Sequence, residues 1–407
     1  MDSLAIKAGR ALDVRSGKMM EDVTILVEQG RIAGIGPGVG IPKGTPVVDA
    51  GGLTLIPGLH DNHCHLMLEP RNFDELIYKR ASAAMALDAW INASKALQSG
   101  FTTVRDPGDC DREYGLVDLR KAIDQGKLPG PRVIVAPHFL SPTGGHGDAN
   151  DFAHDLRMAG IGRIVDGPDG MRKAVREEIK YGAEWIKVFV SGGVLSKGDN
   201  PAHSTYTIEE VRAAAEEAHR LGRKITAHAH GAQAIRYCVE AGFDGVEHCT
   251  MVDDDTIGLM KRSGTFCVPT LYVLDFLVKE DNGLDLTPDL VEKARVMRNV
   301  QRERFRKVVE AGVPVAYGTD IGVFPHGENW RDFSVMVECG MTPLEAIRTA
   351  TLNSARMNGI DHEVGTLEMG RKADIIGVDG NPVDDVSSLR RVRLVMRDGR
   401  IFKTPAE

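Results

Sequence analysis

Eight short apolar runs, separated by helical stretches and loops, fill the middle of the chain and leave few folds open to it. They are LHDNH (59–63), TTVRD (102–106), RVIVAPH (132–138), WIKVFV (185–190), ITAHAH (225–230), GVEHC (245–249), TFCVPTL (265–271) and VPVAYGTD (313–320). Alternation of strand and helix predicts a parallel sheet, since parallel strands need a crossover between them. Eight such units predict a sheet closed on itself. The expected fold class is α/β, a (β/α)8 TIM barrel. One crossover helix is legible in detail: Thr207 and Glu210 make a capping box, and Ile208, Val211, Ala215, Ala218 and Leu221 recur at helical spacing.

The two ends of the chain read differently. Residues 3–56 carry strand-like runs (LAIKAG, TILVEQGRIAGIG, LTLI), with Glu28-Gln29-Gly30 as a hairpin turn. Residues 362–404 return to the same style in ADIIGVDG and VRLVMRDGRIF. A small β-sandwich formed by both termini is therefore expected. Residues 1–57 plus 360–407 make the sandwich, 58–359 make the barrel, and Pro57-Gly58 is the crossing. Long glycine-rich loops at 141–160 and 191–206 follow the third and fourth runs, on the side where a barrel gathers its site.

Residues of metal-ligand type end these runs in a fixed order: His63 and His65, Lys187, His228, His248 and Asp320. Side chains two apart on a strand share a face, so His63 and His65 point together, as do His228 and His230. Lys187 lies among Trp185, Ile186, Val188, Phe189 and Val190. Burial there lowers its pKa, and a neutral amine takes up CO2 as a carbamate, the anion that two cations can share. The competing reading is a lysine whose ammonium snorkels to water. Such a ligand set is sparse for one metal and sufficient for two, and a two-metal site makes a nucleophile from water. Asp320 suits a proton relay between water and a leaving nitrogen; its competing reading is a helix N-cap.

The order resembles the amidohydrolase superfamily in its binuclear, carboxylated-lysine form, over nearly the whole chain. An H-x-H follows PG at the end of the first strand, a lysine ends the fourth, histidines end the fifth and sixth, and an aspartate ends the eighth. The resemblance implies that His63, His65 and Asp320 hold the more buried metal and His228 and His248 the more exposed one. Lys187, as N6-carboxylysine, bridges them with a hydroxide. It implies that His230 polarises the substrate carbonyl or holds its carboxylate. Members with a single metal lack the strand-four lysine. The passages AHAHG, GVEHCT, TGGHGD and PHGEN are most similar to the prolidase-like branch, which includes Xaa-Pro dipeptidases and ochratoxin-cleaving relatives. His146, His326 and Tyr206, together with His230, are the candidate substrate contacts.

The expectation is thus a zinc amidohydrolase with two divalent ions and CO2 as lysine carbamate. Its substrate is a small molecule, a dipeptide or N-acyl amino acid with a free C-terminal carboxylate. Two rivals are a cyclic-amide hydrolase of the imidazolonepropionase type and a phosphotriesterase-like enzyme. The net charge of −8 and the lack of a basic run exclude nucleic acid as an electrostatic partner. No run approaches the roughly 20 apolar residues of a membrane span. Six cysteines without C-x-x-C spacing read as free thiols in the cytoplasm. A homo-oligomer is expected.

Overall fold

The structure, a computed structural model, describes residues 3–70, 73–150, 152–156 and 158–405. The strands, in chain order, are β1 (Ser3–Leu12), β2 (Met19–Glu28), β3 (Arg31–Gly36), β4 (Val47–Pro57), β5 (Leu59–Asp61), β6 (Phe101–Asp106), β7 (Arg132–Val135) and β8 (Phe139–Ser141). They continue as β9 (Arg163–Ile164), β10 (Trp185–Phe189), β11 (Lys224–Ala229), β12 (Gly245–His248), β13 (Phe266–Val268), β14 (Ile375–Asp379), β15 (Val392–Arg397) and β16 (Arg400–Lys403).

The chain ends meet in one hydrogen-bonded sheet, in the order β16-β15-β14-β4-β1-β2-β3. Its joint is β14 against β4, where Ile376 faces Ile56 and Val378 faces Thr54. Gln29 and Gly30 both have positive φ between paired Glu28 and Arg31, the two-residue turn that suits the twist of a hairpin. Ile6, Ile25, Leu55, Ile375 and Leu394, all buried, belong to one apolar cluster drawn from both ends of the chain.

The middle of the chain is a parallel α/β array. One sheet runs β5-β6-β7, and another runs β13-β12-β11-β10-β8-β9. The helix Ile208–Arg220 starts as expected: Thr207 Oγ1 accepts from Glu210 N–H, and Glu210 Oε2 accepts from Thr207 N–H at 2.9 Å. Its buried residues include Val211, Ala215 and Ala218, while Ile208 and Leu221 lie at the half-buried margins.

The third expected run, 132–138, is a strand only over β7, and β8 follows directly after it. The eighth, 313–320, is no regular strand. It is tied by isolated bridges, Cys267 to Val315 and Cys64 to Ile321. Cys267 N–H donates to Pro314 O, and Asn62 N–H donates to Tyr317 O. The irregularity has a local cause: Pro314 has no N–H, and Asp320 has φ of 65°. All six cysteines are buried and unpaired. Among the described residues no helix is long and apolar enough to cross a membrane.

Candidate functional site

Asp61, at the end of β5, fixes the frame. Its Oδ1 accepts from the backbone N–H of His63 and of Thr319, each at 3.1 Å. Its Oδ2 accepts from Thr319 Oγ1 at 2.6 Å and Asn329 Nδ2 at 2.8 Å. One buried carboxylate thereby pins the H-x-H segment to the segment carrying Asp320. Asp320 caps no helix: it faces the histidines, with Oδ1 3.0 Å from His65 Nε2 and 3.4 Å from His63 Nε2. Burial raises the Asp320 carboxyl, but His63 and His65 pull it further down, below the usual range.

His63, His65 and Asp320 form a first group. His63 Nδ1 lies 2.8 Å from Glu247 Oε2, and His65 Nδ1 lies 2.7 Å from Gly108 O. A carbonyl offers no proton, so Nδ1 of His65 carries the hydrogen; an ionised Glu247 asks the same of His63. In the neutral rings the two Nε2 atoms are bare lone pairs only 3.2 Å apart, beside a carboxylate oxygen whose charge draws a proton toward His65 unless a cation takes that place. Three acceptors converging without a donor fit a cation.

His228, His230 and His248 form a second group, whose ligand atoms lie within 4.8 Å of one another. His248 Nδ1 is 2.7 Å from Thr270 Oγ1, His230 Nδ1 is 2.7 Å from Thr250 Oγ1, and His228 Nε2 is 3.1 Å from Gly192 O. Desolvation holds all three imidazoles below the usual histidine range, His230 at about 3. Left-handed backbone recurs here at non-glycine residues: φ is 70° at His248, 50° at Cys249 and 46° at Thr270. Such conformations persist where the surrounding structure imposes them. The expectation gives His228 to a metal and His230 to the substrate, and the structure sets their rings side by side, centroids 4.6 Å apart.

Lys187 is 1% exposed, and its Nζ has no hydrogen-bond partner among the described residues. Burial lowers its pKa to about 8. Its charge acts on His63 and Asp320 of the first group and on His228 and His248 of the second. An orphaned, readily neutral amine is what carbamate formation needs, and the nitrogen and oxygen donors around it suit zinc.

Sequence reasoning missed Glu247. Its Oε1 accepts from Arg105 Nη2 and Thr226 Oγ1, both at 2.5 Å, while Oε2 holds His63. Arg105 is fully buried, with its guanidinium 4.4 Å over Trp185. Charged residues inside apolar runs, Glu247 in GVEHC and Arg105 in TTVRD, were the available signal. Arg163 pairs with Glu177 and Glu178.

The candidate substrate contacts are scattered. His146 stacks on His228, ring centroids 4.6 Å apart. His326 is half-buried, with Nε2 2.8 Å from Leu68 O. Tyr206 lies in the apolar core, its hydroxyl donating to Val165 O at 2.8 Å. His60 is buried with both ring nitrogens unpartnered among the described residues. The loop after the third run is described apart from residues 151 and 157.

The sequence profile of the amidohydrolase family matches residues 54–402. Ochratoxinase of Aspergillus niger is 33% identical over 376 residues, covering 86% of this chain and 76% of that protein. A crystal structure of a Xaa-Pro dipeptidase with bound methionine superposes with a TM-score of 0.92 at 35% identity, covering 98% of this chain and 100% of the other. A prolidase complexed with N-methylphosphonate-L-proline gives a TM-score of 0.89 at 30% identity, covering 99% and 100%.

Proposed function

Because the chain belongs to the amidohydrolase family, in its prolidase- and ochratoxinase-like branch, and is a metal-dependent hydrolase, we propose that it cleaves amide bonds next to a free carboxylate. The substrates are dipeptides or N-acyl amino acids. The observation that supports this reading is Lys187, buried on β10 and without a hydrogen-bond partner for its Nζ among the described residues. We read the parallel array as a closed (β/α)8 barrel and the seven-stranded sheet as a folded-over sandwich, with the division at residues 57/58 and 359/360.

His63, His65 and Asp320 would hold one divalent ion, His228 and His248 the other, and Lys187 as its carbamate would join them; zinc is the metal we propose. Two such ions, when bound, supply a water nucleophile at neutral pH and polarise the scissile carbonyl. The chain's own residues do the rest. With Oδ1 turned to His63 and His65, Asp320 has Oδ2 left to take a proton from the attacking water. It returns that proton to the leaving nitrogen, which departs poorly as an anion. His230, hydrogen-bonded at Nδ1 to Thr250, would donate from Nε2 to the substrate's developing negative oxygen. His326 is a candidate contact for the carboxylate.

A screen of N-acyl amino acids and dipeptides on zinc-loaded protein tests the reading, each substrate being compared with its C-terminal methyl ester. Free acids should be cleaved far faster. Equal rates on both would remove the carboxylate requirement and favour cyclic amides.

A further inference from the structure

The His146 ring is seated by three residues of the loop that follows β10: Gly193, Ser196 and Asp199. Ser196 Oγ lies 2.7 Å from His146 Nδ1 and donates to Asp199 Oδ1 at 2.6 Å. A hydroxyl has one proton, and here it lies between Ser196 and the Asp199 carboxylate. Ser196 Oγ can then only accept from the imidazole. Nδ1 of His146 therefore carries the ring proton, and Nε2 is bare.

The rest of the loop holds this chain still. Asp199 Oδ2 accepts from Gly193 N–H at 2.9 Å, and the Asp199 side chain is 3% exposed. Lys293, from the helix Pro288–Ala311, donates to Ser196 O at 3.4 Å. A Cβ on Gly193 would stand 2.1 Å from His146 Cε1, so the ring rests on a position that only glycine leaves open. The imidazole also stacks on His228 at 24°, and its side chain stays 16% exposed.

We propose that Asp199 and Ser196 are positioning residues that hold His146 as its Nδ1–H tautomer, so that Nε2 meets a bound substrate as a hydrogen-bond acceptor. The proposal rests on the functional reading above and narrows it. An acceptor at the rim favours acyl halves that carry an N–H donor, an α-ammonium group above all, over those that end in a methyl group.

The test has two arms. In the first, full-length zinc-loaded protein labelled with 15N-histidine is read by NMR, with His146 assigned by comparison with His146→Gln. His146 should show a protonated Nδ1 and a bare Nε2. Ser196→Ala should give mixed tautomers, and Ser196→Thr, which keeps a hydroxyl, should restore the parent pattern. In the second arm, kcat/KM is compared for a dipeptide and its desamino isostere with the same leaving amino acid. The parent should prefer the amine about tenfold, and Ser196→Ala should narrow this to about twofold, mainly through KM for the amine. A bare Nδ1 in the parent, an unchanged tautomer in Ser196→Ala, or equal kcat/KM for the two substrates in the parent overturns the proposal. If no amide of either kind is cleaved, the functional reading fails, and the NMR arm still decides the relay.

Discussion

His63 and His65 on one side, and His228, His230 and His248 on the other, use the same side chain held by different neighbours. The first group rests on charge at His63, where Glu247 holds the ring, Arg105 neutralises Glu247 and Asp61 pins the backbone, while His65 leans on the neutral carbonyl of Gly108. The second rests on neutral groups, the hydroxyls of Thr250 and Thr270 and the carbonyl of Gly192. A carboxylate behind an imidazole makes it a more basic ligand than a hydroxyl does and fixes the ring more firmly. For the two ions proposed above, the comparison implies unequal affinities, tighter at His63, His65 and Asp320 and weaker at His228 and His248.

The largest expected effect removes what the two groups share. If Lys187 is the carbamate proposed above, Lys187→Ala takes away the anion between two cations, which would then repel each other, so at least one ion should leave. Elemental analysis should fall from about two equivalents of zinc to one or fewer. Activity should drop by more than about a thousandfold, with slight recovery when a short-chain carboxylic acid is added. Two retained equivalents with near-normal turnover would break the comparison, since the groups would then be independent.

Asp320→Asn comes next and bears on chemistry more than affinity. The amide oxygen can still face a cation, but it takes no proton at neutral pH. Amide hydrolysis should fall by about two to four orders of magnitude. An activated ester of the same acyl group leaves without protonation and should lose much less. Equal losses on both substrates would make Asp320 a ligand only.

Glu247→Gln sharpens the contrast directly. It keeps the shape but weakens the hold on His63, and metal affinity of the first group should fall about 10- to 100-fold in chelator competition. Because the change strands the buried Arg105 charge, it also costs roughly 3–5 kcal/mol of stability. The pair Arg105→Met with Glu247→Gln removes both charges together and separates the two effects. Should the double variant regain its fold while first-group affinity stays low, Glu247 acts on the metal and not merely on folding.

Much of this centre was legible in the chain, and the reason is geometric. Strand residues two apart share a face, so H-x-H announces itself locally, and a lysine in WIKVFV has little reason to be there unless it is used. The supports were not legible, because they close over long distances. Glu247 is 184 residues from His63, and Ser196 is 50 from His146. Local spacing carries no record of such pairs. The eighth run misled for a different reason: its pattern reads as a strand, but Pro314 and the left-handed Asp320 interrupt the ladder that pattern implies.

The smallest effect tests the weaker half of the comparison. Thr270 Oγ1 is the side-chain partner of His248 Nδ1, and Thr270→Val removes the hydroxyl while keeping the branched shape. The neutral hydrogen bond it loses contributes about 1 kcal/mol, so affinity for the second ion should fall only about fivefold. The first ion should be untouched. Stepwise chelation should therefore show one release midpoint shifted and the other unmoved, whereas Glu247→Gln shifts the opposite one. If Thr270→Val weakens both midpoints equally, the two groups are held as one unit and the distinction between charged and neutral supports has no functional meaning. A loss as large as that from Glu247→Gln would instead mean that the left-handed backbone at Thr270, 46° in φ, depends on the threonine hydroxyl, and that backbone strain rather than ligand basicity sets the affinity there.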